Sequence, residues 1–573
     1  MPLLDSRRLT GPGLLLDRPG AVVDVAMDDT HRAQTIAAWR RNAARMLEAV
    51  GWGNETLSTR AFTGGASLAL SAPPDALYAA TELNEWAWAS AEAEMGGARP
   101  STLEPDAARL REAIQAESNP PLLALRSMAR RRGVTFLTGE DQVSVGTGAG
   151  VTVWPENELP APQAVDWSRV HDVPLALVTG SNGKTTIVRL LAAMLARAGR
   201  TPGSTSTDGV KVGDRWLAEG DYSGPSGARM VLRDPGVEAA VLETARGGIL
   251  RRGLPVEQAD VAVITNIADD HLGEFGVQSL ADLAATKLVT ARAVRPDGRV
   301  VMNADDPTLV GARPQLSAPV IWFSLHPERA EIRDHLATGG QAALLEGDAL
   351  VLATGAKRVP VARVDEVTIT LGGIATHNVA NALAAIAAAQ RLHLPTDVIR
   401  ATLQNFGRSV ADNPGRANLI ELGGVRLLID FAHNPHGMGA LAATASTLGS
   451  GRRLVMLGQA GDRSDSAIRE LAQEAMRLHP DYAIVKELEQ YLRGRSPGEV
   501  PALLMDELQR LGLPPEAVSF PGSEVAAVHH ALEWARPGDL LVLPIHQDRA
   551  QVMRLIERLQ GSGWKAGEDL SKQ

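Results

Sequence analysis

The sequence predicts an α/β protein in three parts. An N-terminal α+β region precedes a central doubly wound domain built around a phosphate-binding loop, and a second α/β region follows. Three observations predict this. Short, nearly continuous apolar runs at 175–178, 239–242, 261–265 and 299–302 alternate with helical patterns, as expected of parallel strands buried on both faces. The first of these runs leads into a glycine-bounded turn and then an amphipathic helix, with Ile187, Val188, Leu190, Leu191, Met194 and Leu195 on its apolar side. The same strand-then-helix style returns beyond about residue 411, at 426–430, 453–458, 482–486 and 540–544.

Residues 1–160 are Ala-rich, and 31–50 and 74–95 read as helices. Trp86 and Trp88 cannot share one helical face, so one belongs to the core and the other to an interface or cleft. Asn119-Pro-Pro121 is expected to break the region, and 133–138 and 142–146 read as short strands. The four prolines between 154 and 174 mark a linker. From 174 to about 406 strands alternate with helices such as 279–294 and 377–391. The expected domains are therefore 1–160, 170–408 and 411–573, with a polar tail after Trp564 that frays.

Composition narrows the function. The 573 residues carry a formal charge of −10 and no long basic stripe, which argues against a nucleic-acid partner. There is no cysteine, so disulfides, thiolate catalysis and Cys-ligated zinc are excluded. No apolar run approaches membrane-spanning length, and Met1-Pro-Leu-Leu-Asp-Ser-Arg-Arg8 has no secretory hydrophobic stretch. The expectation is a soluble cytoplasmic protein without a membrane partner.

The turn reads Thr179-Gly-Ser-Asn-Gly-Lys-Thr-Thr186. Its backbone N–H groups and the positive end of the following helix suit an anion. Gly180 and Gly183 bound the loop, Asn182, Thr185 and Thr186 line it, Lys184 would reach phosphate oxygens, and the Thr185 hydroxyl would ligate Mg²⁺. The usual pattern has a glycine five positions before Gly183, where this chain has Val178, so the loop is a shorter one. Glu243 stands at the rim where open α/β sheets bind ligands and is a candidate Mg²⁺ ligand. His271, in Asp269-Asp-His271, is a candidate for that metal, its outer shell or a second ion. Lys287 follows on a helix. His377, Asn378 and Asn381 open another, where the two amides suit the edge of adenine as well as they suit a cap. Arg416 sits in the turn Asn413-Pro-Gly-Arg416, and Asp430-Phe-Ala-His-Asn-Pro435 ends a strand, with Asp430 placed for ribose and His433 for the reacting phosphoryl. Arg463, Arg493 and Arg495 form either surface ion pairs or an anion site.

In this order these segments resemble the Mur ligase superfamily, which joins a carboxylate to an amine using ATP. Within it the chain is most similar to the C-terminal Mur-like part of cyanophycin synthetases, through Ser206-Thr-Asp-Gly209, Gly220-Asp-Tyr-Ser-Gly-Pro225, residues 242–254, Gly461-Asp-Arg463 and Arg493-Gly-Arg495. The N-terminal region resembles the N-terminal domain of those enzymes more weakly, through Arg7-Arg-Leu-Thr-Gly-Pro12. Their ATP-grasp module is mostly absent: Val143-Ser-Val-Gly-Thr-Gly148 resembles its start, and the chain then passes to the Mur-like part. The resemblance implies a three-domain Mur ligase-like fold whose C-terminal domain is Rossmann-like, with one ATP site and Mg²⁺. A second divalent ion and a carbamylated Lys287 are further family features.

The resemblance also implies that Lys184, Glu243, His271, Lys287, Arg416 and His433 serve catalysis, and that Thr185, Glu243 and His271 hold metal. Asp208, Asp221, Ser223, Arg246, Arg463, Arg493 and Arg495 would face substrate. The implied reaction joins a carboxylate, such as an aspartate side chain or aspartyl peptide, to an amino-acid amine through an acyl phosphate. Its partners would be an amino acid, a dipeptide or a cyanophycin-like polymer, and the chain would be a dimer or tetramer. The alternative is a catalytically reduced partner of a full-length synthetase that binds nucleotide or polymer.

Overall fold

The structure, a computed structural model, describes residues 2–98, 102–139, 141–270, 272–449, 451–568 and 570. Its N-terminal part is a four-stranded antiparallel sheet in the order Leu3–Leu9, Gly20–Ala26, Gly65–Ser71, Leu57–Phe62. Helices Arg32–Ala49 and Leu77–Met95 cover one face and bury Trp39 and Trp88 among Val23, Val25 and Leu68. Trp88 is thus the core member of the Trp pair. Trp86 is half-buried and donates its indole N–H to Asp106 at 2.8 Å. Asn84, fully buried, accepts the Trp39 indole N–H at 2.9 Å and donates to the carbonyls of Ala21 and Leu68 at 3.3 and 3.0 Å.

Asn119-Pro-Pro121 does not break the region. It starts helix Pro120–Arg132, with proline at the first position and the Asn119 side chain accepting the Leu122 N–H at 3.2 Å. Proline needs no donor there and its fixed φ already suits a helix. A small three-stranded sheet, Phe136–Gly139, Gln142–Val145 and Thr152–Pro155, then leads to the proline-rich connection.

The central sheet has 11 strands. Its parallel portion runs Pro202–Ser206, Ala239–Glu243, Leu175–Thr179, Ala259–Ile264, Val294–Asn303, Val320–Ser324, Gln341–Glu346. Helices Lys184–Arg197 and Thr376–Arg391 bury one face, with Leu190, Leu191, Leu383 and Ile386 fully enclosed. Each such side chain contributes about 1.5–3 kcal/mol of transfer free energy. Helices Leu280–Leu288 and Pro307–Ala312 cover the other face.

The simple strand-then-helix alternation expected from sequence is incomplete. Antiparallel hairpins extend both edges, Gly209–Val212 with Arg215–Glu219 on one side and Ala349–Thr354 with Lys357–Arg363 on the other. Half-exposed edge strands lack the continuous apolar run that announces a central strand.

The C-terminal sheet orders Asn418–Leu422, Val425–Asp430, Leu540–Pro544, Arg453–Leu457, Tyr482–Lys486, Val518–Gly522, all parallel except the first, a hairpin partner of the second. Helices cover both faces over separate apolar cores. Among the described residues no helix is long and apolar enough to cross a membrane.

Candidate active site

A cleft of about 1850 Å³ lies between the central and C-terminal sheets, with Asp5, Ser6 and Arg7 of the N-terminal edge strand on its rim. The phosphate-type loop forms its floor. Gly180 has φ +144°, and a Cβ there would lie 1.7 Å from the Thr265 hydroxyl; Gly183 has φ +88°, and a Cβ would lie 2.2 Å from the Asn381 amide oxygen. Only glycine fits either position, which is why the motif is written with glycines at these two points. The loop is braced from the next strand end. Thr265 donates its hydroxyl to the Asn182 carbonyl at 2.6 Å, and Ser181 N–H donates to the Asn266 carbonyl at 2.9 Å.

Lys184 curls back over the loop, donating to the carbonyls of Gly180 and Ser181 at 3.1 Å. Thr185 donates its hydroxyl to Glu243 Oε2 at 2.9 Å, at the buried end of strand Ala239–Glu243. Glu243 Oε1 is buried with no hydrogen-bond partner among the described residues. Burial pushes the Glu243 carboxyl up, and the Lys184 charge and the Thr185 hydrogen bond oppose it. A hydroxyl and a carboxylate with one unspent oxygen fit a hard cation that retains water and phosphate ligands. Thr185 and Glu243 would hold Mg²⁺. His271, the third expected ligand, lies outside the described residues. Among the described residues no group of three or more His, Cys, Asp or Glu could hold a metal.

Lys287, on helix Leu280–Leu288, is buried and lines the same cleft. Burial first, and then the Lys184 charge, push its amine down to about 7. A lysine in that range supplies a neutral amine near neutral pH.

Asn378 and Asn381 both line the cleft. Asn378 is buried, donates to the Ile369 carbonyl at 2.9 Å and accepts the Asn381 amide at 3.0 Å. The Asn381 amide oxygen lies against Gly183, so the pair braces the helix start on the phosphate-type loop. His377 lines the cleft beside them, its Nδ1 without a hydrogen-bond partner among the described residues.

The opposite wall comes from the C-terminal sheet. Arg416 stacks over the Phe431 ring at 4.3 Å, and Asp430 accepts the Ala417 N–H at 2.7 Å; all but Ala417 line the cleft. Several pairs cross between the two sheets. The Asn182 amide of the loop meets His436 Nδ1 at 3.0 Å and accepts from Asn434 at 3.1 Å. Asp270 accepts from Arg463 at 3.0 Å and lies 3.8 Å from His433 Nε2. Asn413 donates to the Thr186 hydroxyl at 3.4 Å.

The expected substrate residues divide. Arg246, paired with Glu274, lines the cleft with Arg463 and with Arg493, which bonds Asp462 at 2.5 Å. Asp221 accepts the N–H and hydroxyl of Ser223 at 3.0 and 2.6 Å, forming a turn on the cleft edge. Asp208 is committed to Arg189 and to Arg549, the latter at 2.5 Å, so in this structure its carboxylate is not offered to a ligand. Arg495 is corrected. Its guanidinium is spent on the carbonyls of Gly461 and Arg463 and on Asp465 and Glu499, at 2.7–2.9 Å, so it braces a loop behind the cleft.

Residues not singled out from sequence are Arg189, Asn434, His436 and Arg549. Asn434 and His436 lie within and just beyond the strand-end motif that gave Asp430 and His433, so continuing that motif would have found them. Nothing local marks Arg549.

Fold and site together define a nucleotide-dependent enzyme of the phosphate-loop α/β class, with a second α/β unit closing over the loop. The Mur ligase middle domain matches residues 178–389 and the Mur ligase glutamate ligase domain matches 415–544, together more than half of the chain. The chain belongs to the Mur ligase family, whose members here are ATP-dependent, ADP-forming ligases.

A cyanophycin synthetase of Trichormus variabilis is 38% identical over 385 residues, 67% of this chain and 42% of that protein, so the chain spans about two fifths of that relative's length. A UDP-N-acetylmuramoyl-L-alanyl-D-glutamate–2,6-diaminopimelate ligase of Geobacter metallireducens is 27% identical over 455 residues, 72% of this chain and 84% of that one. Among solved structures, E. coli FolC in complex with ADP shares the fold, with TM-score 0.51 and 20% identity over 68% of this chain and 90% of that one.

Proposed function

We propose that this protein activates a carboxylate with ATP and joins it to an amine, releasing ADP and phosphate. The observation that carries this reading is the single cleft in which Lys184, Thr185 and the unspent oxygen of Glu243 face Arg416, His433 and Arg463 of the other sheet. The glycine loop and Lys184 cradle the β- and γ-phosphates. Thr185 and Glu243 would hold Mg²⁺, which would supply neutralisation of phosphate charge there. Lys184, Arg416 and the cross-cleft arginines spread the charge that develops as the substrate carboxylate takes the γ-phosphoryl group. The C-terminal unit then excludes water while the amine attacks the acyl phosphate and phosphate leaves.

The Lys287 amine, lowered to about 7 and lining the cleft, supports its carbamylation, which would add a carboxylate-type oxygen donor to the site. The acid is an aspartate side chain or an aspartyl peptide, and the amine belongs to an amino acid. The support for this finer reading is the similarity to cyanophycin synthetases over the two Mur-like units. A phosphate-release screen over amino-acid and dipeptide pairs, with mass spectrometry of the products, tests it. ADP together with an amide-linked product is the expected result. ADP formation with no dependence on any acid–amine pair would overturn it.

A further inference from the structure

We propose that the fully buried Lys486–Glu524 pair is a positioning device that holds Arg549 across the cleft on Asp208 and so sets the closed arrangement of the two units. This rests on the ligase reading for its catalytic consequence, and on geometry alone for the clasp.

Lys486 ends strand Tyr482–Lys486 and Glu524 opens helix Glu524–Trp534; both side chains have no exposure. Lys486 Nζ donates to Glu524 and to the Pro544 carbonyl, the latter at 2.5 Å. Glu524 spends its remaining acceptor capacity on three consecutive backbone N–H groups, those of His546, Gln547 and Asp548, at 2.8, 3.0 and 2.7 Å. A buried ion pair is weak evidence for stability, since desolvation offsets much of its attraction. This one instead fixes a loop. The next residue, Arg549, begins helix Arg549–Ser562 and reaches Asp208 Oδ1 at 2.5 Å.

Asp208 lies in the hairpin turn of the central sheet and also takes Arg189, on the helix that follows the phosphate-type loop. Arg189 in turn donates to Asn413 Oδ1 at 3.2 Å and the Pro414 carbonyl at 3.4 Å, in the segment joining the two units. The path from Lys486 to the phosphate-loop helix is thus one of direct bonds, and neither Lys486 nor Glu524 itself lines the cleft.

The test uses the full chain carrying Glu524→Gln, Lys486→Met, Asp208→Asn and the double variant Glu524→Gln/Asp208→Asn, each first checked for folding by circular dichroism. Glu524→Gln is expected to speed amide exchange at 546–548. It should lower kcat about 10- to 100-fold, because a small misplacement in a site can cost that much, and leave KM for ATP within about twofold. The double variant should be no worse than the poorer single one, since both cut the same path. Additive losses, unchanged exchange at 546–548, or a raised KM with unchanged kcat would overturn the clasp. If no acid–amine pair gives turnover, the ligase reading fails separately. The same variants are then read by small-angle scattering with Mg²⁺ and a non-hydrolysable ATP analogue. A more open envelope for Glu524→Gln supports the clasp, and an envelope identical to the wild type overturns it.

Discussion

On the central side of the cleft, Lys184, Thr185 and Glu243 sit at the ends of adjacent parallel strands or on the helix that follows one of them, and every bond that places them is local to that sheet. On the C-terminal side, Arg416, His433, Arg463 and Arg549 come from four separate stretches. Arg463 and Arg549 are bonded to carboxylates of the opposite sheet, and His433 lies near one of them. The first group is organised by its own fold. In the second, Arg416 is held by Phe431 of its own unit, while Arg463 and Arg549 complete their contacts where the two units meet. On the proposed ligase reading, nucleotide binding rests chiefly on the central sheet, and assembly of the reacting geometry on the contact between sheets.

The largest expected effect breaks the central side. Lys184→Ala should lower kcat for phosphate release by about 10³-fold, the scale of losing a preorganised charge-stabilising donor, with the far-ultraviolet spectrum unchanged. A loss under about tenfold would remove this side from its assigned role. Across the cleft, Arg463→Ala and Asp270→Asn should each slow turnover, and together show a coupling of about 0.5–3 kcal/mol in a double-mutant cycle. Independent effects would mean that the two sides do not act as one site.

Lys287 gives a pH test confined to the central side. Its amine is at about 7 in the folded protein, against an ordinary value of 10.5. Between those values the unfolded chain binds the extra proton, so stability should rise with pH from about 7 towards 10.5. The destabilisation is full below 7 and absent above the unfolded value. The contribution is about 1.4 kcal/mol per pH unit. Denaturant titrations at several pH values should show a shallower slope for Lys287→Met, and an unchanged slope would contradict the buried, neutral amine. The smallest effect lies furthest away. Asn84→Ala removes the acceptor of the Trp39 indole and the donor to the Ala21 and Leu68 carbonyls and should destabilise the N-terminal sheet by about 1–3 kcal/mol, with Mg·ATP affinity unchanged in calorimetry.

The same division explains what could be read from sequence. The central strands, the loop and Glu243 were legible because continuous apolar runs and glycine positions are local signals. The edge hairpins at 209–219 and 349–363 were not, since half-exposed strands carry weaker patterning and the alternation of strand and helix hid them. An i, i+3 amide pair such as Asn378 and Asn381 reads the same in sequence whether it faces a ligand or braces its own helix. Arg495 misled because loop arginines satisfy neighbouring carbonyls as readily as they bind anions. Arg549 was silent: its partner, Asp208, is hundreds of residues away, and no local pattern records that meeting.

The central claim is that this cleft passes a phosphoryl group to a carboxylate before nitrogen captures it. Turnover of an acid labelled with ¹⁸O in its carboxylate, followed by ³¹P NMR of the released phosphate, tests it most directly. One labelled oxygen transferred to each phosphate is the result expected. Phosphate that carries oxygen only from ATP and water, with ADP formed at the same rate, would contradict it.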